Sequence, residues 1–152
     1  MKSIQDPAVR KAIINRINNL TPESARLWGK MNVNQMICHC TDQFRIMLGI
    51  KPTVFSGNVF TVYIVKPLIM IGLQAPPEKV KTTPELDQQI DGTPPIEFQT
   101  DLATLLALMD EACSRGENEK WYPHPAFGKM SKKQWLTLAY THLHHHLRQF
   151  GV

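Results

Sequence analysis

Apolar residues recur at helical spacing in four stretches of this chain. Asp6-Pro7 opens the first. An Asp at the N-cap and a Pro at the first helical position both suit a helix start, where backbone N–H groups lack an intrahelical acceptor. Val9, Ile13, Ile14 and Ile17 follow at intervals of a helical turn until Asn18-Asn19 ends the run. Thr21-Pro22-Glu23 carries a further cap signal and predicts a short helical turn up to about Trp28, broken by Gly29. Asn32 and Gln35 have the spacing of a capping box. The helix predicted from them runs to Leu48, stops at Gly49 and carries the stripe Val33, Met36, Ile37, Cys40, Phe44, Met47 and Leu48. Thr100-Asp101 predicts the start of a helix over Leu102 to Ser114, with Gly116 beyond it. Ser131 and Gln134 repeat the capping box, and the helix they open runs to about Phe150.

The stretches between are less regular. Val59 to Leu73 is apolar, and its VFTVYIV portion has strand propensity, but the chain offers no strand to pair with it. The reading that follows is a buried core helix kinked at Pro67. Residues 74–99, rich in Pro, Thr, Gln and Lys, read as a long irregular connection of the kind that is often functional or mobile. Trp121 to Gly128 (WYPHPAFG) reads as a loop. Four main helices with shorter pieces predict a single all-α domain over residues 1–152, with a helical bundle as its architecture.

Composition narrows the class without changing the fold. With 152 residues, 43% apolar and 20% charged, the chain is long enough to bury a core and is not of disordered type. Its formal charge is +4, and the basic residues are scattered without interleaved aromatics. That is a solvated surface rather than a nucleic-acid footprint. Three cysteines, Cys38, Cys40 and Cys113, lack the count and spacing of a disulfide framework or a zinc knuckle. The opening MKSIQDPAVRKAI has no apolar signal-peptide core, and Val59 to Leu73 falls short of the ~20 residues needed to span a bilayer. The expectation is a cytoplasmic protein without a membrane or nucleic-acid partner.

The candidate chemistry lies in the histidines. On a helical wheel of KKQWLTLAYTHLHHHLRQFGV, residues Trp135, Leu136, Ala139, Leu143, Leu147 and Phe150 form one apolar arc. His146 falls inside that arc, His142 lies at its edge one turn earlier, and Gln149 is on the same side. His144 is on the polar face with Arg148, and His145 is on the flank. Residues four apart on a helix have Cβ atoms ~5–6 Å apart, so His142 and His146 are spaced to share one metal ion, as the pair in HExxH helices does. The adjacent Glu of that motif is missing here. A third ligand must come from elsewhere, and outside the last helix only His39 and His124 exist. His39 is preferred because it sits on a rigid helix, beside the apolar stripe. Three neutral imidazoles leave an open coordination position suited to zinc, nickel or iron. The blander reading, polar residues merely packed in a core, leaves the cost of burying two imidazoles unexplained.

WGKMNVNQMICHCTDQFRIMLG (Trp28 to Gly49) and HPAFGKMSKKQW…THLHHHLRQFGV (His124 to Val152) resemble the DinB/YfiT-like superfamily of metal-dependent enzymes, in an uncharacterised branch. The resemblance implies a four-helix bundle in an up-down-down-up arrangement. It also implies a histidine triad, one on the second helix and an HxxxHxxQ set on the last, which by position are His39, His142 and His146 with Gln149. Characterised relatives use the metal to activate a low-molecular-weight thiol. The function this implies is thiol-dependent S-transfer to, or hydrolysis of, a small molecule. His145 and His124 are weaker candidates for proton transfer. The competing reading is a non-catalytic helical module that binds a ligand or forms a homodimer.

Overall fold

The computed structural model describes residues 2–71, 73 and 83–152, and all regular secondary structure among them is helical. Five α-helices follow in order: α1 (Pro7–Ile17), α2 (Val33–Leu48), α3 (Lys66–Met70), α4 (Phe98–Ser114) and α5 (Lys132–Gln149). A π-helical turn, Thr61–Val65, leads into α3, and a 3₁₀ turn, Pro84–Leu86, precedes α4.

The helix boundaries follow local chemistry. The Asp6 carboxylate accepts from the Ala8 and Val9 amides and starts α1. Both capping boxes form, Asn32 with Gln35 on α2 and Ser131 with Gln134 on α5. Gly49 ends α2 with φ +81°, where a β-carbon would lie 2.1 Å from the Tyr122 ring. Left-handed backbone and close approach therefore both require glycine there. Tyr122 bridges two helices through its backbone: its N–H donates to the Met47 carbonyl, and its own carbonyl accepts from the fully buried Trp135 indole. The C-terminal end of α2 thus lies at the N-terminal end of α5, and the two run antiparallel.

Three expectations need correction. Residues 21–28 form turns and bends rather than a helical turn. The Leu27 amide donates to the Gln149 carbonyl at the end of α5, so long-range pairing replaces a local helical bond. Helix α4 begins at Phe98, not Leu102. Its cap is Glu97, whose carboxylate accepts from the Gln99 and Thr100 amides, while Asp101 turns back to accept from the Ile96 amide. The third concerns Val59 to Leu73, which is helical over most of its length but not buried. Val65, Ile69 and Met70 pack on the core, yet Val59, Phe60, Tyr63 and Ile71 are each more than 60% exposed. Pro67 has no N–H to return to the preceding turn, and the helix before it widens so that the Lys66 amide reaches back five residues to the Thr61 carbonyl.

The core is built by α1, α2, α4 and α5. Helix α2 packs against α4 and α5, and α1 and α3 pack against α5. In the connection before α4, residues 74–82 lie outside the described residues. From Thr83 onward the chain is held against α2 by Asp42, which is fully buried. Its carboxylate accepts from Arg45 at 2.9 Å, from Lys51 at 2.8 Å, and from the Thr93 amide and hydroxyl at 2.8 and 2.6 Å. Burial raises the pKa of this carboxyl, but the donors around it outweigh burial and hold it below its ordinary value. Among the described residues, no helix is long and apolar enough to cross a membrane.

Candidate metal centre

His39 from the middle of α2 meets His142 and His146 from the second half of α5. Their ring centroids are pairwise 4.6–4.7 Å apart, and one ligand atom from each lies within 4.8 Å of the others. The Nε2 atoms of His39 and His142 are 2.8 Å apart. His39 is 5% exposed and His146 8%, so this polar cluster stands inside the helical core rather than on its surface. Burial lowers the pKa of all three, and the neighbouring imidazoles lower those of His142 and His146 further. The rings are accordingly neutral at pH 7, the state in which a ring nitrogen offers a lone pair to a cation.

Two of the three tautomers are fixed by their outer partners. His39 Nδ1 lies 2.7 Å from the Leu86 carbonyl, which only accepts, so this nitrogen carries the proton and Nε2 keeps the lone pair. His146 is held through a longer chain of the same logic. The Gln149 amide nitrogen donates to the Trp28 carbonyl at 2.7 Å, which turns its Oε1 toward His146 Nδ1 at 2.9 Å. That nitrogen must then be the donor, and Nε2 of His146 is free to ligate. Gly29 makes room for the arrangement: its φ is +82°, and a β-carbon there would lie 2.2 Å from the Gln149 amide nitrogen. Hydrogen bonding of the outer ring nitrogen to a carbonyl is how metal-ligating histidines are oriented. The third ring, His142, has a buried Nδ1 with no hydrogen-bond partner among the described residues. The same is true of Oε1 of Gln43, one turn along α2 from His39.

This donor set fits a divalent ion. Two lone pairs with locked tautomers and a third imidazole converge on one point, and the 2.8 Å approach of two Nε2 atoms is favourable only with a proton or a cation to share. The set is all-nitrogen and uncharged, unlike the oxygen-rich sets that calcium and magnesium require.

The remaining histidines stand apart. His145 is half-buried, edge-on to His146 at 5.0 Å and to Trp28 at 6.3 Å. His124 closes a tight loop through an antiparallel bridge to Gly128. Its Nδ1 accepts from the Ala126 and Phe127 amides, and its ring stacks on Phe127 at 4.6 Å. Burial pushes its pKa down to about 3. With Nδ1 engaged in the loop, it serves packing, and His39 supplies the third ring of the cluster. His144 points away, stacked on Tyr140 and accepting from the Arg16 guanidinium.

Several contributors escape sequence reasoning. The Leu86 and Trp28 carbonyls are backbone groups and leave no trace in residue type. Asp42 does leave one: an acidic residue inside a helix that is otherwise core, with Arg45 three residues on.

A helical protein with three clustered imidazoles, two buried and one partly buried, close enough together to hold a metal ion is the class that fold and site define. Residues 3–151 match the family described as protein of unknown function DUF1569, and the chain belongs to that family. Comparison with curated proteins and with solved structures found no match.

Proposed function

We propose that this chain is a metal-dependent enzyme of the DinB/YfiT-like kind, in which α1, α2, α4 and α5 form the four-helix bundle with up-down-down-up order. His39, His142 and His146 would hold one divalent ion, zinc or nickel before iron. The observation that carries this reading is the convergence of the three rings, with Nδ1 of His39 and His146 each tied to a carbonyl or amide oxygen. An ion bound there supplies Lewis acidity, lowering the pKa of a water or thiol ligand.

The protein's own residues do the rest. Leu86 and Gln149 hold two rings at fixed tautomer. The apolar walls of α2 and α5 would limit the access of bulk water, and His145, which keeps contact with solvent beside His146, would be a weaker candidate to carry a proton. The reactions favoured are S-transfer from a low-molecular-weight thiol to a small molecule, and hydrolysis. A reducing, cytoplasmic setting suits the three free thiols.

The test is elemental analysis of untagged protein, followed by thermal denaturation with added zinc, nickel or iron(II). One ion per chain is expected, with a stabilisation of about 2.7 kcal/mol at a hundredfold excess over Kd. Both should vanish in His142→Ala and His146→Ala. Unchanged metal content in the two variants would falsify the site. Absence of metal together with no thermal gain in the wild type would leave a non-catalytic helical module. Calorimetry with small thiols then separates S-transfer from hydrolysis.

A further inference from the structure

The stretch from Val59 to Ile71 is apolar on every side. Val65, Ile69 and Met70 turn inward onto the core. Phe60, Ile64, Leu68 and Ile71, at intervals of a helical turn and with Tyr63 beside them, form a stripe on the outside, between 42% and 70% exposed. A helix that is hydrophobic all round is one buried on all sides, yet here one side has no cover among the described residues.

The exposure is concentrated. Of thirteen large apolar side chains exposed among the described residues, nine lie between Val54 and Leu73. The three aromatic residues among them, Phe55, Phe60 and Tyr63, present roughly 150–250 Å² each when free, and the six aliphatic ones somewhat less. At their exposures the nine offer on the order of 1,000 Å². That total is the size of one partner's share of a stable interface.

Charge decides what covers it. Between residues 52 and 76 the sequence holds one charged side chain, Lys66, and its ammonium is tied to the Phe127 and Lys129 carbonyls. A membrane-surface helix carries a basic polar face opposite its apolar one; here the opposite face is itself packed on the core. The chain as a whole is +4, and this uncharged, aromatic-rich face is one on which two copies can meet without opposing like charges. We propose that it is a homodimer interface, each stripe laid against its copy across a two-fold axis, as closed symmetry requires of a self-complementary patch.

The proposal goes beyond the metal site and is tested independently of it. Untagged protein is examined by sedimentation velocity over a micromolar concentration series, as wild type and as Phe60→Glu/Tyr63→Glu. Both substituted side chains are mainly solvent-exposed in one copy, so the helical circular dichroism and the metal content are expected to stay as in wild type. The wild type is expected at twice the 17.3 kDa chain mass, and the variant at the chain mass, with dimer affinity weakened at least about 100-fold. A wild type that remains monomeric throughout, or a variant that dimerises as tightly as wild type, overturns the proposal. A monomeric wild type that pellets with phosphatidylcholine/phosphatidylserine vesicles assigns the face to a membrane instead.

Discussion

Between α2 and α5, polar imidazoles sit where a core should be apolar. Along residues 54–73, aromatic and aliphatic side chains sit where a surface should be polar. Each region departs from the usual distribution, and in opposite senses. The polar interior carries its own partial remedy: Leu86 and Gln149, the latter oriented by the Trp28 carbonyl, satisfy the outer atoms of two rings, and the geometry leaves inward lone pairs for a cation. The apolar exterior has no remedy among the described residues. A buried polar group calls for a ligand of opposite character, and an exposed apolar face for another apolar face. The difference teaches that the first region has the character to receive a small ion and the second the character to receive another apolar surface.

The comparison is best broken by removing one region while watching the other. His146→Ala should take metal content from one ion per chain to near zero while leaving the sedimentation behaviour unchanged. If loss of the ligand also dissociates the protein, the two regions are coupled and the contrast fails. Conversely, metal content of Phe60→Glu/Tyr63→Glu should equal that of wild type.

A finer instrument is the outer support of the cluster. Gln149→Leu keeps all three rings but removes the acceptor on His146 Nδ1. Metal affinity measured by competition with a chromogenic chelator should fall about 10- to 100-fold. Gly29→Ala, by crowding the same amide, should fall in that range as well. If both bind as tightly as wild type, the amide is packing and not support.

The smallest effect concerns acid. Burial depresses the pKa of His124 to about 3, from an unfolded value near 6.5. The unfolded chain therefore binds the proton first. Stability contributed by neutral His124 is complete above pH 6.5 and is lost as pH falls from there toward 3, at up to about 1.4 kcal/mol per pH unit. His124→Asn keeps an acceptor for the Ala126 and Phe127 amides but cannot be protonated. Denaturant titrations of metal-free protein between pH 7 and 5 should show a shallower slope for this variant than for wild type. Equal slopes would mean that His124 does not titrate on unfolding.

Much of the helical framework was legible because its signals are local. Asp6-Pro7, the two capping boxes and Gly49 act through atoms a few residues away, and α1, α2 and α5 begin and end where these residues predict. The start of α4 departs from the pattern because Thr100 and Asp101 have cap chemistry, while Glu97 three residues earlier outcompetes them with two accepted amides. Residues 21–28 form no helical turn, and the Leu27 amide pairs instead with the end of α5, which no local pattern encodes. For Val59 to Leu73 the periodicity showed an apolar helix and implied that it is core. That implication fails because the outer side of the helix finds no cover among the described residues.

The same division holds at the site. Spacing alone put His142 and His146 on one face, since the helix repeat is a local property. It left His39 and His124 as rivals for the third position, because distance between separate segments is not written in residue spacing. Only tertiary structure brings α2 alongside α5 in antiparallel register, so that His39 meets the pair, and folds the WYPHPAFG loop so that His124 Nδ1 is spent on its own backbone. Only tertiary structure, too, lays the Leu86 carbonyl against His39 and the Trp28 carbonyl against Gln149. The sequence by itself determined which residues are able to ligate and the helices they stand on. Which of them converge, and in which tautomer, was decided by packing, because it depends on backbone groups far apart along the chain.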